Sequence, residues 1–465
     1  MTERPLAPSV QAARAAYRAS VERLQTQFAT LPADAPVRLA KSTSNLFRMR
    51  DPSSSAGLNV SAISGVLEVD PIARTADVLG MTTYEDLVDA TLRFGLMPMV
   101  VPELKTITLG GAVTGLGIES TSFRNGCPHE SVLDFDVLTG DGRVITVDRD
   151  GPHADLFTGF PNSYGTLGYA LRLRIELEPV KPFVALEHYP HHTNAEVAAT
   201  IDEIARTGEH RGRRVDFLDG VVFARDRLIV TVGRFVDQAP YLSDYTRSKV
   251  YYRSLEQRSS DYLTTRDYIW RWDTDWFWCS GALGVQQPLV RRLLPRRLLR
   301  SDVYWKVVGF ERRHGWKSAL DAKRGSAPRE PVIQDVEVPL ARLDEFLNFF
   351  HDEIGIAPVW LCPLRQRNPD VTWDLYALDS KATYINLGFW SSVEQVPGQR
   401  EGHHNRRIEE VVEELGGRKS LYSSSYYEED QFWRTYNGEQ YQLLKKEYDP
   451  EGRLLDLYAK CVQGR

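Results

Sequence analysis

The stretch from Val101 to Ser122, Val-Pro-Glu-Leu-Lys-Thr-Ile-Thr-Leu-Gly-Gly-Ala-Val-Thr-Gly-Leu-Gly-Ile-Glu-Ser-Thr-Ser, constrains the fold more than any other part of the chain. Gly110, Gly111, Gly115 and Gly117 stand close together there, interleaved with small and hydroxyl side chains. Glycine costs backbone entropy, so such density is kept where main chain turns sharply or lies against another group. Successive free N–H groups in such turns form an anion-binding concavity suited to a pyrophosphate. The spacing is not that of a dinucleotide fingerprint, because no G-x-G-x-x-G follows a strand and opens a helix, and no Gly-Lys-Ser/Thr marks a triphosphate loop. On the residues alone, a phosphate cradle and a ligand-free glycine-rich turn both remain open.

The flanks read as mixed helix and strand. Residues 8–28 carry Ala12, Ala16, Leu24 and Phe28 at helical spacing. Strands are expected at Gly65–Asp70 and Arg74–Leu79, and a helix from Thr83 to Phe94 with a Thr cap and acidic first turn. Val132–Thr139 and Arg143–Val147 around Gly-Asp-Gly predict a hairpin. A second glycine pair, Gly165-Thr-Leu-Gly168, leads into a strand over Tyr169–Leu177, and Glu178-Pro-Val-Lys-Pro182 ends the segment. Further on, alternation of Tyr268, Trp270 and Trp272 suggests one face of a strand, and Ser420–Tyr427 is strand-like.

The order of these glycine motifs resembles the FAD domain of the vanillyl-alcohol oxidase superfamily, also called PCMH-type: Thr108-Leu-Gly-Gly111, the later Gly-x-Gly, then Gly165-Thr-Leu-Gly168. In that family a first loop of small residues between two short strands holds the diphosphate. Lys41-Ser-Thr-Ser-Asn45 stands in its place, without the usual Arg-Gly-Gly-Gly-His form. From about residue 60 onward the chain is similar to the Δ24-sterol reductase branch. Val101-Pro-Glu-Leu104, Gly117-Ile-Glu-Ser120, Pro358-Val-Trp-Leu-Cys-Pro363 and Glu429-Asp-Gln-Phe-Trp433 carry that resemblance, and Tyr262–Lys306 carries it more loosely. Unlike the eukaryotic enzymes, the chain is not expected to carry an N-terminal hydrophobic anchor.

The resemblance implies an α+β fold in three parts. These are a two-part FAD-binding PCMH-type domain over 1–182, an α+β substrate or cap domain over 183–417, and a C-terminal segment, 418–465, that packs back on the FAD domain and returns to the flavin. It implies FAD held without a covalent bond, since no histidine stands in the first loop and Cys127 is not at a family attachment position. The implied cofactor-binding residues are Ser42, Thr43, Ser44, Asn45, Pro102, Thr108, Gly110, Gly111, Thr114, Gly115, Gly117, Ile118, Glu119, Ser120, Ser122, Gly165, Thr166 and Gly168.

Reduction of an isolated carbon–carbon double bond is the implied chemistry. Bacterial relatives of the branch saturate a 10-methylene fatty acyl chain beside a methyltransferase partner, and that substrate is the first expectation here. A sterol Δ24 bond is the alternative, followed by oxidation of a small alcohol or a non-catalytic lipid-binding role. NADPH is the expected reductant. No separate dinucleotide motif is present, so either the nicotinamide visits the flavin site or a partner supplies electrons. Such a reaction needs a proton donor within hydrogen-bond reach of the substrate. Glu119, Tyr426 and Tyr427 are the candidates, with Arg266 and Arg271 as electrostatic helpers. Glu119 equally suits capping of nearby backbone N–H groups, and the two tyrosines an ordinary strand.

Two features suit a lipid substrate. The aromatic stretch Tyr268–Trp278 fits either a core or a pocket lining. Leu289-Val-Arg-Arg-Leu-Leu-Pro-Arg-Arg-Leu-Leu-Arg300 fits either a solvated basic face or a peripheral membrane contact through Arg291, Arg292, Arg296 and Arg297. Pro295 divides it into two short turns. A net charge of −6 argues against a nucleic-acid partner. The four cysteines lack CxxC spacing, and the His191–His192 and His403–His404 pairs lie in polar stretches, so no metal site is expected. No uncharged apolar run approaches the roughly 20 residues that span a bilayer. The expected location is therefore the cytoplasm, extending to the inner face of a membrane.

Overall fold

The computed structural model describes residues 8–41, 47, 57–247, 249–314 and 327–464. Two antiparallel sheets organise it. The first is built from β1 (Val66–Asp70), β2 (Thr75–Leu79), β3 (Leu96–Pro98), β4 (Val132–Leu138), β5 (Val144–Asp148) and β6 (Tyr169–Pro179), in the order β1-β2-β6-β4-β5 with β3 also on β6. Three residues beyond β6 the chain enters the second sheet. Its strands are β7 (Phe183–His191), β8 (Phe217–Ala224), β9 (Arg227–Val236), β10 (Ser260–Thr264), β11 (Arg329–Pro339), β12 (Val359–Leu364), β13 (Tyr384–Glu394) and β14 (Arg418–Lys419), in the order β10-β7-β9-β8-β12-β13-β11-β14. With its flanking helices this is the α+β architecture the glycine motifs imply.

The second sheet faces two ways, and the period-2 alternation of its strands decides what each face carries. From β11, β12 and β13, the side chains of Val336, Val338, Val359, Leu361, Ile385, Leu387 and Phe389 pack under the helices Asn194–Thr207, Leu343–Phe349 and His403–Glu414. The intervening residues, among them Asp335, Trp360, Asn386 and Trp390, turn to the opposite face and line a cavity shared with the first half of the chain. The tail closes the seam. After β14, the helix Gly438–Tyr448 packs on Ala154–Gly159, and Lys445 donates from Nζ to the Thr166 carbonyl at 2.8 Å.

Helix α1 (Pro8–Thr30) follows its predicted span, and the C-terminal half of the predicted stripe docks as expected while the N-terminal half does not. Ala12 and Ala16 are exposed, while Tyr17, Leu24 and Phe28 are buried. The reason is polar: the Tyr17 hydroxyl donates to Asp136 at 2.7 Å, which sets the rotation of the helix on the first sheet. The expected strand through Tyr268–Trp272 is also corrected. β10 ends at Thr264, whose side chain accepts from the Asp267 N–H and caps a helical turn, Thr265–Ile269. Residues 420–427 form no strand beyond a single parallel bridge between Ser423 and Phe47. No helix among the described residues is long and apolar enough to cross a membrane.

A cluster of charges fastens α1 to the first sheet. Arg172 donates to Asp77 and Asp134 at 2.6 Å each and to Asp136 at 2.8 Å, while Arg14 of α1 reaches Asp77 at 2.6 Å. Burial alone would raise Asp136; the Arg172 guanidinium and the Tyr17 hydroxyl outweigh it and hold the carboxyl below its usual range. A depressed carboxylate contributes stability above its unfolded pKa, and that contribution is lost as pH falls through the folded one. Replacing Arg172 by Met is expected to cost about 3 kcal/mol at neutral pH. The deficit should shrink below the ordinary aspartate range near about 4. Denaturant unfolding across a pH series measures both, and a deficit independent of pH would assign Arg172 a packing role instead.

Candidate functional site

Three main-chain segments converge behind the cavity because each is a glycine or lies against one. The Gly110 N–H donates to the Gly80 carbonyl at 2.9 Å, and a Cβ on Gly110 would stand 2.8 Å from that oxygen. A Cβ on Gly80 would overlap the Ala170 carbonyl at 2.0 Å. Thr108 caps the short helix Leu109–Thr114, its hydroxyl accepting from the Gly111 N–H at 3.2 Å. The first two glycines therefore lie in a helical turn. Tyr164 N–H donates to the Thr114 carbonyl at 2.8 Å and ties the second glycine stretch to the first. Gly117 is pinched between Pro102 and Pro128, whose Cγ atoms would sit 2.9 and 3.0 Å from an added Cβ.

The resulting wall presents bare main chain to a cavity of about 650 Å³, within the roughly 300–1,000 Å³ typical of cofactor and ligand sites. Pro102, Thr108, Gly110, Gly111, Thr114, Gly115, Gly117, Ile118, Gly165 and Gly168 all line it. This donor set of exposed peptide groups and threonine hydroxyls fits a dinucleotide cofactor, and a Cβ is excluded from several of its positions. Ser42, Thr43, Ser44 and Asn45 lie outside the described residues. The two-residue parallel ladder of Leu39–Ala40 with Leu58–Asn59 brackets that segment in the chain.

Glu119, Ser120, Ser122 and Thr166 do not line the cavity; they brace it from behind. Ser122 Oγ accepts from the Glu119 N–H at 3.0 Å, and the Thr166 hydroxyl donates to the Ser163 carbonyl at 2.7 Å. Glu119 Oε1 and Asp219 of β8 each accept from Arg271 at 2.8 Å, and Arg271 is fully buried with the Tyr268 ring 4.0 Å from its guanidinium. The Ser120 and Tyr268 hydroxyls meet at 2.9 Å. Gly117-Ile-Glu-Ser120 thus joins the glycine wall to the second sheet. Arg266 forms an exposed two-pronged pair with Asp89 at 2.8 and 3.0 Å. Tyr426 packs beside Arg406, and Tyr427 is buried against Phe432 and Tyr436. None of these five candidates, Glu119, Arg266, Arg271, Tyr426 and Tyr427, faces the cavity.

The tyrosine that the tail does bring there is Tyr422. It belongs to an aromatic wall opposite the glycines. Phe277 stacks on Trp390 with centroids 4.2 Å apart, and Phe47 lies between Trp276 at 5.4 Å and Trp305 at 5.1 Å. Trp276 and Phe277 both adopt positive φ, 46° and 58°, a rare state for bulky side chains that concentrates at functional sites. The aromatic stretch is thus a pocket lining as well as a core.

Two groups escaped the sequence reading. Asp335 reaches the cavity from β11, and Glu103 from the Val-Pro-Glu-Leu turn. Burial pushes Asp335 up to about 6 and Glu103 well above the carboxylate range. The available signal was Asp335 and Glu337 at i and i+2 in the alternating run Ile333-Gln-Asp-Val-Glu-Val338, two acids on one face of a strand whose other face carries Val332, Val336 and Val338.

A family model described as an FAD binding domain matches residues 17–148, the part that contains the glycine wall. The chain is 26% identical over 444 residues to the Delta(24)-sterol reductase of Arabidopsis thaliana, covering 86% of this chain and 75% of that protein. It is 24% identical over 411 residues to the human Delta(24)-sterol reductase, covering 86% and 76%. Cytokinin dehydrogenase 5 of Oryza sativa is 32% identical over 400 residues, covering 81% and 71%. Together with the cofactor-shaped seam between the two sheets, these similarities carry one conclusion: the chain belongs to the FAD-binding oxidoreductases of the PCMH type, in the branch that includes the Delta(24)-sterol reductases.

Proposed function

We propose that this flavoprotein reduces an isolated carbon–carbon double bond in a lipid, in the manner of a Delta(24)-sterol reductase, with NADPH as the electron source. The observation that carries the reading is the pairing of two walls in one cavity. Glycine main chain faces Trp276, Phe277, Trp305, Trp360 and Trp390 across it. An apolar substrate body needs an aromatic and aliphatic lining, and a flat cofactor needs close approach of main chain. The names of the plant and human relatives support the sterol alternative. The 10-methylene fatty acyl reading and its methyltransferase partner draw no such support. Bound FAD supplies the hydride chemistry, and the protein orients it and keeps water out. Cys127 is buried, its thiol pushed well up by desolvation, which accords with cofactor held without a covalent bond. In this reading residues 1–182 hold the cofactor, 183–417 shape the substrate pocket, and 418–465 join the two.

Purified protein should show a flavin spectrum that bleaches with NADPH under anaerobic conditions and releases free FAD on denaturation. Given a sterol with a side-chain double bond, it should yield a product heavier by two hydrogens. A two-hydrogen gain on a 10-methylene phospholipid and none on the sterol would restore the fatty acyl reading. Absence of flavin after incubation with FAD would leave a binding protein. A Cβ on Gly111 would stand 2.8 Å from the Thr108 hydroxyl alone, so Gly111→Leu should cost no more than that helix cap, about 1 kcal/mol, while weakening FAD binding at least about tenfold, read by flavin fluorescence. That factor corresponds to about 1.4 kcal/mol.

The reading extends to a membrane surface, through exposed leucines and two of the four arginines the sequence suggested. Arg291 is buried on Asp275, and Arg296 pairs with Asp244 at 2.7 Å. Three of the leucines point outward: Leu289 is 77% and Leu293 84% exposed, with Leu298 and Val290 also exposed and Arg292 and Arg297 exposed between. Such a patch suits shallow insertion of leucines beneath anionic headgroups. Leu289→Ser with Leu293→Ser should abolish co-sedimentation with phosphatidylglycerol vesicles, and Arg292→Glu with Arg297→Glu should weaken it most at low salt. Unchanged sedimentation of both would remove the membrane from the proposal.

A further inference from the structure

Saturating an alkene adds a hydride to one carbon and a proton to the other, and the residues expected to give that proton do not reach the cavity. Glu119 is committed to Arg271, and Tyr426 and Tyr427 pack elsewhere. Two carboxyls do line the cavity, Glu103 and Asp335. They differ in what would stabilise the anion left after the proton departs.

Glu103 Oε1 is buried and has no hydrogen-bond partner among the described residues. Its ionisation would strand a charge in a dry site, at a cost well above that of an ordinary catalytic step. Asp335 stands in a directed set of donors. Asn386 donates from Nδ2 to Asp335 Oδ1 at 3.0 Å. Trp390 donates from Nε1 to the Tyr422 hydroxyl oxygen at 2.9 Å. Indole can only donate, so the hydroxyl proton of Tyr422 is free for its other partner, the Asp335 carboxylate. The chain of bonds therefore runs Trp390 to Tyr422 to Asp335, with Asn386 as a second donor, and the carboxylate is stabilised once formed. Asp335 is partly accessible, through the cavity.

We propose that Asp335, supported by Tyr422 and Asn386, is the acid that protonates the substrate alkene, an assignment that rests on the reductase reading above. The balance is simple. The π bond breaks, one carbon accepts a hydride with its electron pair from the reduced cofactor, and the other takes the Asp335 proton. The alkene is reduced, the cofactor is oxidised, and Asp335 is left as a carboxylate that regains its proton from solvent. Tyr422 is a positioning residue in this scheme.

The charged surroundings set the pH response. Burial pushes Asp335 up to about 6, from where it exchanges a proton near neutral pH. Glu337 on the same strand is pushed up to about 8 by burial and accepts from the Ser420 hydroxyl at 3.3 Å and from Tyr376. Glu103 faces it from the glycine wall and Tyr422 from the tail, both raised by burial. Lys419 of the adjacent β14 is taken by Glu409. A donor must be protonated, so alkene reduction should fall as pH rises through the Asp335 value.

The test uses Asp335→Asn and Tyr422→Phe in the full-length holoenzyme. Rates are compared per flavin reduced by NADPH, so that any change in cofactor loading is divided out. The single-turnover rate of sterol reduction should fall at least about 100-fold in Asp335→Asn, and less in Tyr422→Phe. The decline of that rate with rising pH should vanish in Asp335→Asn. In the apoprotein, the infrared carbonyl band of a protonated carboxylic acid should titrate near the Asp335 value and disappear from Asp335→Asn. Wild-type turnover by Asp335→Asn, or an unchanged infrared titration, overturns the assignment alone. A wild type that takes electrons from NADPH yet reduces no lipid alkene overturns the function and the assignment together.

Discussion

Arg271 is the charge on which the two halves of the molecule depend. Its guanidinium is fully buried, and it can be so only because Glu119 comes from the glycine-rich segment and Asp219 from the second sheet. Removing the guanidinium would leave Glu119 and Asp219 buried together without a counter-charge, at a cost of about 3–5 kcal/mol. The arrangement therefore penalises any displacement of one half against the other. It fixes the width of the seam in which the cavity lies, and so the separation of the glycine wall from the aromatic wall. Glu119 acts on the site through this geometry, with its carboxyl turned away from the cavity.

Function sits in the seam because neither half is a site by itself. The first half offers main chain that can be approached closely, since glycines at 110, 115 and 117 pack where a Cβ would collide with Gly80, Gly111 or Pro102. The second sheet offers side chains. Alternate residues of β11, β12 and β13 are claimed by the helical layer, and of those on the other face Asp335, Trp360, Asn386 and Trp390 reach the cavity. The tail adds Tyr422, held in place by the Phe47 N–H donating to its carbonyl at 3.0 Å. Acid, aromatic lining and cofactor cradle meet only when all three chain segments are folded.

The arginine–leucine stretch behaves in the same way. As a pattern it suggests a basic face, but Asp275 draws Arg291 inward through two guanidinium bonds, and Arg291 also reaches the Tyr245 carbonyl at 2.8 Å. With that arginine turned in, Leu289 and Leu293 are left on the outer side, while Leu294 and Leu299 pack inward. Local periodicity on a six-residue helix, Pro288–Leu293, is too weak to resist one strong ion pair.

By itself the sequence determined the elements whose cause is local: the capped helix after Thr83, the hairpin at Gly140–Gly142, the order of the glycine motifs, and through them the cofactor class. Caps, turns and close-packed glycines depend on neighbours a few residues away, so their pattern survives in a linear string. The identity of the groups that face the cavity was decided only by tertiary structure. Asp335, Asn386 and Tyr422 are separated by tens of residues, and β11 pairs with β13 in a register that sets Glu337 opposite Asn386 and Asp335 opposite Gly388. Which acid is locked in an ion pair and which is left facing substrate depends on partners brought from distant strands. Glu119 and Asp335 are equally plausible as letters, and the fold separates them by placing Arg271 beside one and a cavity beside the other.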